Sequence, residues 1–365
     1  MLIIDMQLGG FICNMKRIKL SAKNKRIILI TLCVVLALIL VLLIAGTAYM
    51  ESLFNLINKD VDNSTLSPSE YEDFLQDEDE TDPTSTAPII DPDDVDWGNI
   101  ENSFNKSENI INIMLIGQDR REGWGRSRSD VMLLCTINKS TKEITLTSFM
   151  RDMYVQIPGY QDNRINVCYL LGGMNLLDTC LETNFGIKVD GNVEVDFFGF
   201  MDLIDLMGGV DMYLTQKEAD YLNQKGNWEV TNEAYTWNLK EGVNHLTGSQ
   251  ALAYARTRNI GNADFDRTER QRKVISALFD KCKDLNVTQL KNILEQVLPM
   301  LTTDLSNGEI MQYLFDLVPI LSDLKINTQR IPADGTYQFA NIRGMEVLLP
   351  NLEANRNLLK DCMKE

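Results

Sequence analysis

The sequence predicts an α/β protein: a layered α-β-α domain with a mixed central sheet, preceded by one transmembrane helix. Three observations lead there. One apolar run near the N-terminus is too long for an ordinary soluble helix; beyond residue 110, short apolar strand patterns alternate with amphipathic helical ones; and two of the strands are joined by a turn short enough for a hairpin.

The apolar run is IILITLCVVLALILVLLIAGTAY, residues 27–49, with no charged side chain. About 20 such residues cross a hydrocarbon layer roughly 30 Å thick. The apolar region of a cleavable signal is only about 7–15 residues long, so an uncleaved anchor is expected rather than cleavage after Ala45 or Ala48. Lys16, Arg17, Lys19, Lys23, Lys25 and Arg26 precede the run and acidic residues soon follow it. That asymmetry places the N-terminal tail, 1–26, in the cytoplasm, and the rest of the chain beyond the anchor outside the cell. Residues 60–96 hold fourteen Asp and Glu and no Lys or Arg. A solvated, disordered linker is therefore expected over 50–109, and the folded domain over 110–365.

The whole chain carries −17, and residues 110–365 about −7 of it. A mildly acidic domain argues against nucleic-acid binding. Five cysteines follow the anchor, Cys135, Cys168, Cys180, Cys282 and Cys362, with no CxxC pair and a single histidine in the chain. Buried free thiols are expected, with one disulfide as the alternative; a zinc site is a poor fit.

Within the domain, INIMLIG (111–117) and DVMLLCTIN (130–138) read as buried strands, and KSTK turns the chain into EITLTSF (143–149). Helices are expected at about 165–185 and 198–207, with strands at 193–197 and 209–214 between and after them. Thr247 and Gln250 form a capping box for the helix of LTGSQALAYAR; Asp266 and Glu269 form a second for DFDRTERQRKVISALFDKC. Apolar-periodic segments at about 287–302 and 307–318, then a closing strand and helix, complete the chain.

The stretch YARTRNIGNADFDRTERQR, 254–272, gathers five arginines and no lysine. With Asp266 as N-cap, Arg267, Arg270, Gln271, Val274 and Leu278 fall on one helical stripe, so these polar side chains continue the core-facing side, while Arg272 and Lys273 are left to solvent. Inward arginines need anionic partners. Asp264 and Asp266 are too few for five, which points to an external phosphate or diphosphate. A second constellation, GQDRREGWGRSRSD (117–130), links two strands and holds Asp119, Arg128 and Asp130, a donor set suited to a hard cation shared with phosphate oxygens. A third, Arg151–Asp152, follows the strand ending at Phe149.

These three motifs, in this order after a single anchor, resemble the LytR-CpsA-Psr family of Gram-positive cell-envelope proteins. The resemblance covers about 110–280 and closes with RIPADGTYQ and GMEVLLPNLEANRNLLKDCM. It implies a hydrophobic cleft for a polyprenyl chain, and transfer of a glycopolymer, such as a teichoic acid or capsular-type polysaccharide, from a polyprenyl diphosphate carrier to peptidoglycan. Mg²⁺, or Mn²⁺ in its place, is implied at the diphosphate. Residue by residue, it makes Asp119 and Asp130 metal ligands. It sets Arg128, Arg151, Arg256, Arg258, Arg267 and Gln271 around the diphosphate, with Asp264 orienting arginines or standing near the metal. Arg128, Arg151, Arg256, Arg258 and Asp264 form the implied catalytic set. Two departures are visible: the family's GRSD is SRSD here, and Met150 replaces the usual proline before Arg151. Phosphoryl transfer asks mainly for positioning and for stabilisation of spreading charge, so a chain whose one histidine, His245, lies away from these motifs can carry it. Asp130 and Asp152 are both candidates for taking the acceptor's proton. Two other functions remain open at this level: an envelope regulator, or attenuator, that binds polyprenyl phosphates without turnover, and a diphosphate hydrolase.

Overall fold

The computed structural model describes residues 45–60, 86–98, 106–118, 126–224, 237–283 and 285–364. The chain forms two compact units, Met1–Ser52 and Leu53–Glu365. In the first, residues 45–52 are helical, and the anchor expected over 27–49 lies mostly outside the described residues. Among the described residues no helix is long and apolar enough to cross a membrane.

The second unit is built on one mixed seven-stranded sheet. Its order is β1 (Asn58–Lys59), β10 (Leu301–Thr303), β7 (Gly191–Asp196), β2 (Ile110–Gln118), β3 (Ser129–Asn138), β4 (Glu143–Phe149) and β11 (Lys325–Ile331). β2, β3 and β4 form an antiparallel meander, while β7 runs parallel to β2 and β11 parallel to β4. The ends Gln118, Phe149, Asp196 and Ile331 therefore share one edge of the sheet with the start of β3, the edge at which open α/β sheets bind ligands.

Alternation along the strands sends side chains to two layers. Met114, Ile116, Met132 and Leu134 pack against α1 (Asn166–Phe185) and α8 (Leu352–Asp361) through Leu177, Leu181 and Leu359. Their neighbours Ile111, Leu133, Cys135 and Leu146 face α5 (Ala263–Lys283) and α7 (Asn307–Leu317) through Ile275, Phe279, Tyr313 and Leu317. The layers differ in quality. The first is mostly buried, with Leu176 and Val189 among its few half-buried members, whereas on the second Ile113, Leu115 and Val131 stay half-buried and α7 has no fully buried residue.

A smaller core joins the hairpin of β8 (Val210–Leu214) and β9 (Gly242–Leu246) to α2 (Phe197–Leu206), α3 (Gln216–Leu222), α4 (Gly248–Arg256) and α5. The amphipathic α6 (Val287–Val297) follows α5. A two-stranded pair, β5 (Tyr154–Val155) with β6 (Asn163–Arg164), and the hairpin of β12 (Tyr337–Ile342) and β13 (Met345–Pro350) complete the fold.

The expected strands, the capping box of α4 and most of the helices are present within a residue or two, but the segment expected over 287–302 is helical only to Val297 and ends in β10. Four further expectations need correction. The segment 50–109 is partly built into the fold: β1 extends the sheet, and Ile90 and Asn341 tie residues 88–90 to β12. The C-terminal region has three strands, not one. α5 starts at Ala263, so Asp266 lies in its first turn and accepts from the Asn262 N–H at 2.9 Å, and Glu269 pairs with Lys273 at 2.7 Å. Short-range capping rules find the helix but not its start, because the turn at Gly261 brings Asn262 to Asp266; a Cβ on Gly261 would lie 1.8 Å from Oδ2. Finally, α1 breaks at Gly172 and Gly173, which have non-helical backbone angles. All five cysteines of the described residues are free.

Gly248 opens α4 against the carbonyl of Met201, where a Cβ would come within 2.1 Å of backbone oxygen. Backbone cannot swing aside as a side chain would. Gly248→Ala is expected to cost about 1–3 kcal/mol by overpacking, read as a lowered denaturation midpoint.

Candidate anion-binding active site

The three arginine-bearing segments meet at the shared edge of the sheet. Arg151 leaves β4 and donates through Nη1 to Asp130 at 2.8 Å, with Nε 3.4 Å from Asp152. Arg164, on β6, lies 3.7 Å from the same Asp152. At the start of α5, Asp264 Oδ1 holds Arg267 Nη1 at 2.8 Å and Arg258 Nε at 3.2 Å. Field effects join the two halves. Arg267 feels Arg258, Arg151, Asp264 and Asp130, and Arg128 feels Arg164, Arg151, Asp130 and Asp152.

Five guanidinium groups, Arg128, Arg151, Arg164, Arg258 and Arg267, thus face three carboxylates, Asp130, Asp152 and Asp264. The surplus is two positive charges. Burial, and after it repulsion from neighbouring arginines, lowers Arg128 and Arg267 to about 10. Burial lowers Arg164 as well. In Arg151 burial acts downward too, but Asp152 and Asp130 outweigh it and the pKa rises. An anion entering the cluster would relieve this repulsion.

Gln118 and Ser127, on either side of segment 119–125, are bonded to each other. The pairing of β2 with β3 shifts register between Gly117 and Gln118, a bulge of the kind that re-aims side chains beside active sites. Gln118 Oε1 then accepts from the backbone N–H and the hydroxyl of Ser127, both at 3.1 Å. Gln118 Nε2 and the Tyr169 hydroxyl both donate to Glu194, which is buried in the sheet. This network fixes the residues flanking Asp119 and Arg128.

Of the residues expected at the site, Arg128, Asp130, Arg151, Arg258, Asp264 and Arg267 come together. Gln271 is buried one turn further along α5, its Nε2 3.5 Å from the Ala255 carbonyl. Arg256 lies over the Phe197 ring, 4.4 Å from its centroid, beside the end of β7. Asp119 lies outside the described residues. Arg164 was not anticipated, since it follows the polar stretch Gln161–Asp162–Asn163 with no second arginine nearby, and only the pairing of β5 with β6 brings it in. Arg270 is buried as expected but is spent internally: Nε donates to Glu218 at 2.8 Å and Nη1 to the Thr257 carbonyl at 3.0 Å. Arg272, expected in solvent, is only 8% exposed, because α5 is sandwiched and its second side meets β4 and β11. His245 bonds Asp211 and the Gly208 carbonyl on the β8–β9 hairpin.

Among the described residues no group of three or more His, Cys, Asp or Glu side chains is poised to hold a metal. Asp130 keeps 30% of its side chain exposed with one oxygen on Arg151. One or two carboxylates completed by phosphate oxygens is a donor set that suits Mg²⁺, so the residues fit a cation that arrives with a diphosphate better than one held by protein alone.

Fold and site together define a three-layered α/β protein with a cluster of arginines and carboxylates at the carboxyl edge of its sheet. The LytR_cpsA_psr family model matches residues 75–361, and the chain belongs to that family. It is 29% identical over 264 residues to the regulatory protein MsrR of Staphylococcus aureus, covering 71% of this chain and 76% of that one. It is likewise 29% identical over 242 residues to TagU of Bacillus anthracis, a polyisoprenyl-teichoic acid–peptidoglycan teichoic acid transferase, covering 65% and 73%. The structure of YwtF (TagT) with bound octaprenyl pyrophosphate lipid aligns with a TM-score of 0.53 at 25% identity, over 73% of this chain and 95% of that one.

The two inward arginines of α5 should separate in their effects. Arg270→Met leaves the Glu218 carboxylate buried without its partner and is expected to lower stability by about 3–5 kcal/mol. Arg267→Met removes a repelled charge and should cost much less, both read by chemical denaturation. Burial pushes Glu218 upward, but its bonds from Thr215 and Arg270 prevail and hold its pKa below the usual value. That stabilisation is present at neutral pH and lost as pH falls through the depressed folded value, so Arg270→Met should flatten the acid side of the stability profile.

Proposed function

We propose that this protein is a membrane-anchored phosphotransferase that moves a glycopolymer from a polyprenyl diphosphate carrier to peptidoglycan outside the cell. The observation that carries this reading is the surplus of two positive charges among clustered, partly buried guanidinium groups, which matches the charge of a diphosphate diester. The half-buried apolar layer under α5 and α7, where Ile113, Leu115 and Val131 remain unsealed, suits the prenyl chain of the same ligand. The TagU and TagT relatives, one named for the reaction and one holding the lipid, support it.

In this reading Arg128, Arg151, Arg164, Arg258 and Arg267 bind the diphosphate and stabilise charge that spreads over its oxygens in the transition state. The acceptor hydroxyl attacks the phosphorus bearing the glycopolymer, and the bond from that phosphorus to the bridging oxygen breaks. Polyprenyl phosphate leaves. Asp130 and Asp152 stand within the cluster to take the hydroxyl proton, while Asp264 holds Arg258 and Arg267 in place. Asp130, with Asp119, would hold Mg²⁺, which when bound adds positive charge at the diphosphate oxygens.

The second reading, a regulator that holds the lipid without turnover, draws support from the name of the MsrR relatives. It shares the pocket and differs in the product. Full-length protein in detergent, given Mg²⁺, a polyprenyl diphosphate-linked glycopolymer and peptidoglycan, is expected to yield a covalent glycopolymer–peptidoglycan product. Arg151→Ala and Arg267→Ala should each lower kcat by about 10²–10³, and EDTA should abolish the product until Mg²⁺ is restored. Tight lipid binding with no product under any of these conditions would favour the regulator.

A further inference from the structure

Beside the diphosphate pocket runs a row of aromatic rings that the donor reaction does not use. Phe265, next to Asp264, stacks on Tyr337 with centroids 5.6 Å apart, and Tyr337 meets Phe339 edge-on at 5.6 Å. Phe339 is 54% exposed. At the other end Arg330 lies over the Phe265 ring, 4.4 Å from its centroid, held by the Pro332 carbonyl at 3.0 Å and by the exposed carboxylate of Asp334.

Arg272 supplies an independent sign of a missing ligand. It is buried, yet its Nε and Nη1 have no hydrogen-bond partner among the described residues. Burial, with repulsion from Arg330, lowers its pKa to about 10, and the attraction of Glu269 does not compensate. Glu269 itself is engaged by Lys273. A buried, unsatisfied guanidinium is costly unless an anion completes it.

The row is fastened to the reaction centre. Arg330 and Ile331 pair with Ser148 and Phe149 of β4, Met150 N–H donates to the Ile331 carbonyl at 2.8 Å, and Leu348 N–H of the β12–β13 hairpin donates to the Asp152 carbonyl at 3.0 Å. Rings and arginines therefore sit at fixed distance from Arg151 and Asp152.

We propose that Phe265, Tyr337 and Phe339, with Arg330 and Arg272, form the subsite for the acceptor: a glycan strand that carries carboxylates. The exposed Phe339 ring, backed by Tyr337 and Phe265, matches the C–H face of a pyranose ring, and the guanidiniums of Arg330 and Arg272 match a carboxylate substituent by charge and fork geometry. The proposal rests on the transferase reading for the word acceptor, but glycan binding itself can be measured without turnover.

The test uses full-length protein in detergent without donor lipid. Calorimetry compares a soluble, peptide-free peptidoglycan oligosaccharide, bearing its lactyl carboxylates, with a neutral chitooligosaccharide of equal length. Wild type is expected to prefer the carboxylated strand. Phe339→Ala, at an exposed position, should weaken binding of both sugars about tenfold, and Arg330→Gln should weaken only the carboxylated one. Affinity for a polyprenyl diphosphate should be unchanged in both variants, and in the transfer assay KM for the acceptor should rise with little change in kcat. Wild-type glycan affinity in both variants, or a parallel loss of lipid binding, overturns the subsite. Glycan binding that follows this pattern with no transfer product would sink the transferase reading and leave the subsite standing; transfer whose acceptor KM ignores both variants would do the reverse.

Discussion

Five guanidinium groups held against three carboxylates at one edge of a sheet is the constraint around which this molecule is arranged. Left alone, such a cluster repels itself and resists burial, and the lowered pKa values of Arg128 and Arg267 measure that strain. The scaffold tolerates it because each arginine is rooted in a rigid element: the start of β3, the end of β4, β6, the turn after α4 and the first turns of α5. Arg270 marks the contrast. One residue pair, Arg270 with Glu218, is complete within the protein, whereas the neighbouring Arg267 must share Asp264 with Arg258.

The same economy appears in the apolar layers. The α1 and α8 side of the sheet is sealed, with Leu177, Leu181 and Leu359 fully buried, and carries the stability. The α5 and α7 side is looser, and it is the side whose helix α5 also bears the arginines. α5 thus carries Asp264 and Arg267 of the charge cluster at its start and the half-buried Ile275 and Phe279 of the looser layer further along. The buried Glu194, accepting from Gln118 and Tyr169, holds Gln118, which in turn accepts from Ser127 beside Arg128.

Much of this was legible in residue order. Strands β2, β3 and β4 announce themselves by apolar runs and a short turn, and α4 by its capping box, because those signals act over a few residues. The inward stripe of Arg267, Arg270 and Gln271 follows from helical periodicity alone. Arg272 defeated the same reasoning: periodicity assumes one buried face, and α5 has two. Glu218 lies 52 positions from Arg270, so no local pattern could reveal that one of the five arginines was already neutralised. Arg164 was missed for a like reason, since its neighbours in sequence are not its neighbours in charge.

By itself the sequence determined the α/β class, the order of the main elements and the excess of arginine around too few local carboxylates. Those properties depend on composition and on periods of two to four residues. Which arginines face the anion, which are satisfied internally, and which carboxylates they share was decided only in three dimensions. Electrostatic partners are chosen by distance through space, and the register of β4 with β11, the pairing of β5 with β6 and the turn at Gly261 set those distances.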